Sequence, residues 1–145
     1  MGERMNIGIT GSRKEPTEKQ QQVLKEKLKE VCPDWIHHGD CLGADRMAHD
    51  IAVRFGIKTH IHPPTNGKYR AFCKGDQKEK RYDYLVRDQN IVNRSEMLIA
   101  IPSHPETLRS GTWATVRRAR KKGIEIHIIW TDGNITIEGE QDEQS

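Results

Sequence analysis

Five residues without a polar side chain, Met97 to Ile101 (MLIAI), constrain the fold more than any other stretch. The run is too short for a helix and long enough for a strand buried on both faces. Strands of that kind belong to parallel sheets covered on both sides by helices. Pro102 and Pro105 then end regular structure, and Trp113 to Lys122 reads as a helix that Gly123 terminates. Ser110-Gly111-Thr112 stands at the start of that helix. Unpaired backbone N–H groups and the positive end of the helix dipole suit an anion there, and Gly111 lets a ligand approach the backbone closely. The phosphate end of a nucleotide site is expected at this point.

The rest of the chain repeats the strand-then-helix pattern. Met5–Thr10 (MNIGIT) reads as a strand ending in Gly11-Ser12-Arg13, and a helix then runs from Pro16-Thr17 to about Val31, with Val23, Leu24, Leu28 and Val31 on one face. Trp35–His38 is a second strand, and a helix from Ala44 to Phe55 turns Met47, Ala48, Ile51, Ala52 and Phe55 inward. Ile57–His62 is a third strand. Pro63 to Arg81 is polar, basic and aromatic without periodicity, and a loop of that length reads as a functional flap or a partly disordered segment. Tyr82 to Ser95 is a helix anchored by Leu85, Ile91 and Val92. With Met97–Ile101 fourth and Ile124–Trp130 fifth, the expectation is an α/β fold: a Rossmann-like three-layer α/β/α sandwich on a mainly parallel five-stranded sheet. One domain spans residues 1–130. An acidic, flexible tail spans 131–145, within which Ile135–Ile137 could add a short edge strand after the Asp132-Gly133-Asn134 turn.

In such sheets ligands bind beyond the carboxyl ends of the strands, where the strand order reverses. The loops after strands one, two and four all fall on that edge. Gly11, Ser12 and Arg13 suit backbone clearance, a hydrogen bond to phosphate or ribose, and positive charge; the same residues also suit an ordinary turn. The loop HGDCLGAD (His38–Asp45), punctuated by Gly39 and Gly43, presents Asp40 and Asp45, carboxylates suited to accepting hydrogen bonds from ribose hydroxyls. Asp45 is equally a first-turn residue favoured by the helix dipole. Arg87 is either a ligand contact or an exposed helix arginine, and Trp113 either stacks a base or packs. His37 and His38 are adjacent on a strand, so they point to opposite faces and do not chelate together. No paired ligand motif supports zinc, and neither a metal nor a cofactor is expected. Cys41 has no evident catalytic partner.

Charge narrows the ligand. The net charge of +3 hides five acidic residues and no Lys or Arg in 131–145, so residues 1–130 carry +8. A basic body favours an anionic partner, a phosphorylated small molecule or nucleic acid. The run Arg117, Arg118, Arg120, Lys121, Lys122 reads as a solvated helix end or as a nucleic-acid patch. Three cysteines cannot all pair, no signal pattern opens the chain, and no stretch suits a membrane span, so a cytoplasmic protein without membrane contact is expected.

GITGSR, HGDCLGAD, RDQNIVNRSEMLIAIP and SGTWATVRRA, in that order and spacing, resemble the SLOG superfamily, most closely its single-domain YspA/YpsA-like branch. The resemblance spans roughly Met5 to Trp130. It implies a Rossmann-like fold that binds nucleotides or nucleotide-derived ligands such as ADP-ribose derivatives, with homo-oligomers common among relatives. The superfamily includes the Lonely-guy phosphoribohydrolases and the DNA-processing protein A group. Arg87 falls where the phosphoribohydrolases carry an arginine, and Gly111-Thr112 matches the GT pair of their PGGxGTxxE motif. Pro102-Ser103-His104 and an insertion replace PGG, and Thr115 stands where the glutamate belongs. N-glycosidic cleavage needs a carboxylate, and threonine does not supply one.

The leading expectation is therefore a sensor or sequestering module for an AMP- or ADP-ribose-like ligand. Gly11, Ser12, Arg13, Gly39, Asp40, Gly43, Asp45, Arg87, Ser110, Gly111 and Thr112 are its candidate contacts, and the flap residues Lys68, Tyr69 and Arg70 would close over it. An N-glycosyl hydrolase acting on a nucleoside 5′-monophosphate is the alternative, with Asp40, Asp45 and Arg87 as candidate catalytic groups. A single-stranded DNA-binding module is the third reading.

Overall fold

A computed structural model describes residues 5–139. Seven strands form one sheet: β1 (Asn6–Gly11), β2 (Trp35–His38), β3 (Lys58–Ile61), β4 (Gln77–Lys78), β5 (Met97–Ile101), β6 (Glu125–Ile129) and β7 (Ile135–Glu138). Their spatial order is β4-β3-β2-β1-β5-β6-β7, parallel throughout except for the antiparallel β6–β7 pair. The four helices are α1 (Glu18–Val31), α2 (Ala44–Arg54), α3 (Tyr84–Asn93) and α4 (Gly111–Lys122).

The five expected strands are present and two more flank them. β4 is a two-residue strand inside the flap, too short to leave a periodic signal. β7 is the edge strand read at Ile135–Ile137, one residue longer and inside the span assigned to the tail, and it closes the far edge; residues 140–145 lie outside the described residues.

Two apolar layers, one on each face of the sheet, make the sandwich. Ile7, Ile9, Ile36, Ile99 and Ile101 pack beneath α1 and α2, while Leu98, Ala100, Ile126 and Ile128 pack beneath α3 and α4. The alternation Leu98/Ile99/Ala100/Ile101 supplies both layers, as a strand buried on both faces must. Two expected anchors face solvent instead. Phe55 is the C-cap of α2 and 40% exposed, and Leu85, in the first turn of α3, is 63% exposed.

Helix ends follow local chemistry. Thr17 and Gln20 form a reciprocal capping box at the start of α1. The Gln20 amide Nε2 also donates to the carbonyls of Pro102 at 2.8 Å and Ile129 at 3.0 Å, tying α1 to the loop after β5. Gly123, at φ 85°, ends α4 in the left-handed conformation.

The chain runs β1-β2-β3 to one side of β1 and returns to place β5 and β6 on the other. The loops leaving β1 and β5 therefore diverge, and a crevice opens between them.

Candidate functional site

A cavity of about 600 Å³ occupies that crevice, and Gly11, Ser12, Arg13, Gly39, Asp45, Arg87, Ser110, Gly111 and Thr112 all contribute to its wall. Nine of the eleven candidate contacts thus meet in one place.

One end is built for an anion. Ser110 is the N-cap of α4, and its hydroxyl accepts the Trp113 N–H at 3.3 Å. The N–H groups of Gly111 and Thr112, at the first two helical positions, have no intrahelical acceptor. A Cβ on Gly111 would meet nothing within 4 Å, so its neighbourhood is open on the cavity side. Arg13, Lys14 and Arg109 surround this end, and the Arg13 guanidinium lies 4.0 Å above the ring of Tyr69 from the flap. Gly11 serves packing: a side chain there would overlap Ala44 and crowd the Ile101 carbonyl.

The other end is a buried charge cluster. Arg87 Nη1 donates to the Gly39 carbonyl at 2.7 Å, and its Nε lies 2.8 Å from Asp88 Oδ1 without hydrogen-bond alignment. Gly39 has to be glycine, because a Cβ would overlap the guanidinium. Asp45 Oδ2 accepts the N–H groups of Gly39 and Cys41 at 3.1 and 3.3 Å, while Oδ1 is buried with no partner among the described residues. Burial pushes the Asp45 carboxyl up to about 7 against the pull of Arg87, so it exchanges a proton near neutral pH. Burial also raises Asp88, with Arg87 opposing. Thr115 is buried, donates its hydroxyl to the Gly111 carbonyl at 3.0 Å and reaches Asp88. The carboxylates of this end thus come from α2 and α3. Cys41 is held as a thiol, pushed up to about 11 by burial and the neighbouring Asp45.

Two candidates lie away from the cavity wall. Asp40 adopts φ 55°, and both carboxylate oxygens are engaged by the flap: Oδ2 by Arg70 Nε at 2.7 Å and Oδ1 by the Cys73 N–H at 2.8 Å. Its carboxylate faces the flap and not the cavity. Gly43 is the N-cap of α2 at φ 86°, where a side chain would strike the Ser12 and Arg13 backbone. The flap itself is fastened, with Leu42 donating to the Tyr69 carbonyl and Ala71 to the Asp40 carbonyl. Arg70 is spent on Asp40 and does not close over the crevice.

Trp113 packs. It is 1% exposed, lies against Trp130 and donates Nε1–H to the His104 carbonyl. Much of the basic run is committed as well: Arg117 and Arg120 bind Glu106, Arg120 binds Glu138, Arg118 meets Gln89, and Lys122 donates to carbonyls at the end of α3. Glu106 belongs to the loop after β5, so these pairs brace the anion end from behind.

The chain is similar in structure to the molybdenum cofactor binding protein of Rippkaea orientalis, with a TM-score of 0.70 and 17% identity, covering 90% of this chain and 78% of that one. It is also similar to the molybdenum cofactor carrier protein of Chlamydomonas reinhardtii (TM-score 0.64, 22% identity, 87% and 76% covered). DNA processing protein A of Streptococcus pneumoniae matches with a TM-score of 0.64 at 18% identity, over 86% of this chain and half of that one. These likenesses show the fold, which is Rossmann-like. No family model matches the sequence, and no curated protein matches it. Among the described residues, no helix is long and apolar enough to cross a membrane.

Within this Rossmann-like fold, Lys14, Tyr84, Asp88, His104, Thr107 and Arg109 also line the cavity. Sequence reasoning does not select them. Tyr84 and Asp88 are four apart on α3, and that spacing is their only signal. Lys14 and Arg109 are cations flanking the two glycine-containing loops.

Proposed function

We propose that the crevice binds an anionic, nucleotide-derived ligand and that the protein works as a binding, sensing or sequestering module. The phosphate sits on the N–H groups of Gly111 and Thr112, with Arg13, Lys14 and Arg109 adding charge. The sugar side faces the Asp45 end of the crevice, and Arg87 fixes the cluster from beneath. The observation that carries this reading is Gly111, which opens the helix start to the cavity while the opposite wall is a preassembled Arg87–Asp45–Asp88 group. The molybdenum-cofactor binding and carrier proteins of the same fold add support for a ligand-holding role. To test it, purified protein is incubated with AMP, GMP, NAD, ADP-ribose and inorganic phosphate, dialysed, and both fractions are chromatographed. An intact nucleotide retained at one equivalent per chain supports the reading; no retention of any of them overturns it.

A second reading has its own observation. A carboxyl at about 7, beside a second buried carboxyl, suits general acid–base work at neutral pH. Hydrolysis at an N-glycosidic bond would then rest on Asp45 and Asp88 in place of the absent glutamate. Free base accumulating beyond one equivalent, and lost in Asp45→Asn, selects this reading over the first. The nucleic-acid reading loses support, because the basic run is largely engaged in internal pairs.

A further inference from the structure

We propose that His37, His60 and His62 form a site for one divalent transition-metal ion of the zinc type, separate from the crevice. The parallel register of β2 and β3 sets His37 opposite His60, and His62 follows two residues later on the same face. All three are buried, and one ligating nitrogen from each lies within 4.8 Å of the other two. This is the sheet face that carries α3 and α4, and those helices pack chiefly on β1, β5 and β6. Over β2 and β3 the covering layer is imidazole.

The outer hydrogen bonds prepare the rings as ligands. His37 Nε2 lies 3.0 Å from the Asn6 amide oxygen, which can only accept, so Nε2 holds the proton and Nδ1 is a bare donor atom. His60 Nε2 lies 3.1 Å from Glu79 Oε1, which fixes the same tautomer. Metal-bound imidazoles commonly donate their second ring N–H in this way, to a carboxylate or carbonyl oxygen. His62 Nε2 faces His37 Nδ1 at 3.0 Å, and His62 Nδ1 is buried with no partner among the described residues. A proton can bridge only one pair of these nitrogens, whereas a metal ion takes all three. The neighbouring cation Arg94 is paired with the same Glu79 oxygen at 3.4 Å.

Imidazole ligands suit zinc, copper and nickel, and a three-histidine set leaves a fourth position for water. Zinc–nitrogen bonds of about 2.0–2.1 Å put tetrahedral donors roughly 3.3 Å apart, so loading turns the stacked His60 and His62 rings toward each other. The second histidine group, His38 with His49 and Cys73, is closed to a metal. His38 Nδ1 accepts the Asp40 N–H at 2.9 Å, so Nε2 carries the proton and is spent on His49 Nδ1.

Chelator-treated full-length protein is titrated with Co²⁺ and then Zn²⁺, alongside His62→Gln and Cys73→Ser. The expected result is one Co²⁺ per chain with the visible absorption of a tetrahedral site, displaced by Zn²⁺, unchanged in Cys73→Ser and abolished in His62→Gln. Excess Zn²⁺ should raise the wild-type Tm by about 5 °C or more. The wild-type titration decides even if His62→Gln fails to fold. Absence of a stoichiometric tetrahedral spectrum overturns the site, and so does a thiolate-to-cobalt band lost in Cys73→Ser, which places the ion at the other group.

Discussion

Gly39 and Arg87 are fitted to each other: the guanidinium fills the space a side chain on residue 39 would need, and donates to that residue's own carbonyl at 2.7 Å. The contact joins the loop after β2 to α3, and it fixes the buried end of the crevice.

Gly39→Ala should therefore eject Arg87 from its pocket. Overpacking and a displaced buried cation together are expected to destabilise the fold by roughly 2–4 kcal/mol. Arg87→Met removes the obstacle, so the double variant Gly39→Ala/Arg87→Met should be more stable than additivity allows. Urea unfolding of the four proteins checks this; strict additivity would show that the two residues do not compete for one space.

Asp45 predicts a pH dependence of stability. Its carboxyl is raised from 3.8 to about 7 in the folded protein, so the folded chain holds this proton more tightly than the unfolded chain. The contribution is full below about pH 4 and is lost as the pH rises through 7. Relative to Asp45→Asn, the wild type should lose roughly 2–3 kcal/mol between pH 5 and pH 8. Parallel denaturation curves at the two pH values test the sign, and a wild type that gains stability over Asp45→Asn on going to pH 8 contradicts it.

The Asp40 carboxylate straps the flap down. Asn tolerates the same left-handed backbone, so Asp40→Asn removes the charge and little else. Losing a buried charge-assisted pair with Arg70 should cost roughly 2–4 kcal/mol. Hydrogen exchange should quicken at Leu42 and Ala71, whose N–H groups bond to the flap and to Asp40. Unchanged exchange at both would mean that the apolar contacts of the flap suffice.

The layered fold is legible in the sequence because each central strand is short and apolar and each helix carries its own stop. The start of α4 is legible for the same reason, since Ser110, Gly111 and Thr112 shape the backbone they belong to. Contacts made across elements are not. Asp88 becomes a site residue only because α3 leans its start over β1, and Asp40 leaves the site because a positive φ turns it to the flap. Adjacent His37 and His38 do take opposite faces, as strand geometry requires. Each then finds partners on other elements, and the alternation of His60 and His62 in the next strand is the signal that pairs with His37.

The most direct test of the crevice as an anion site is calorimetry of nucleotide binding to wild type and Gly111→Asp. Residue 111 has open space around it and begins a helix, where an acidic side chain is favoured, so the fold should keep its Tm. The carboxylate would stand where the phosphate is placed. One nucleotide per wild-type chain is expected, with at least tenfold weaker binding by Gly111→Asp at unchanged Tm. Equal affinity in the two proteins would contradict it.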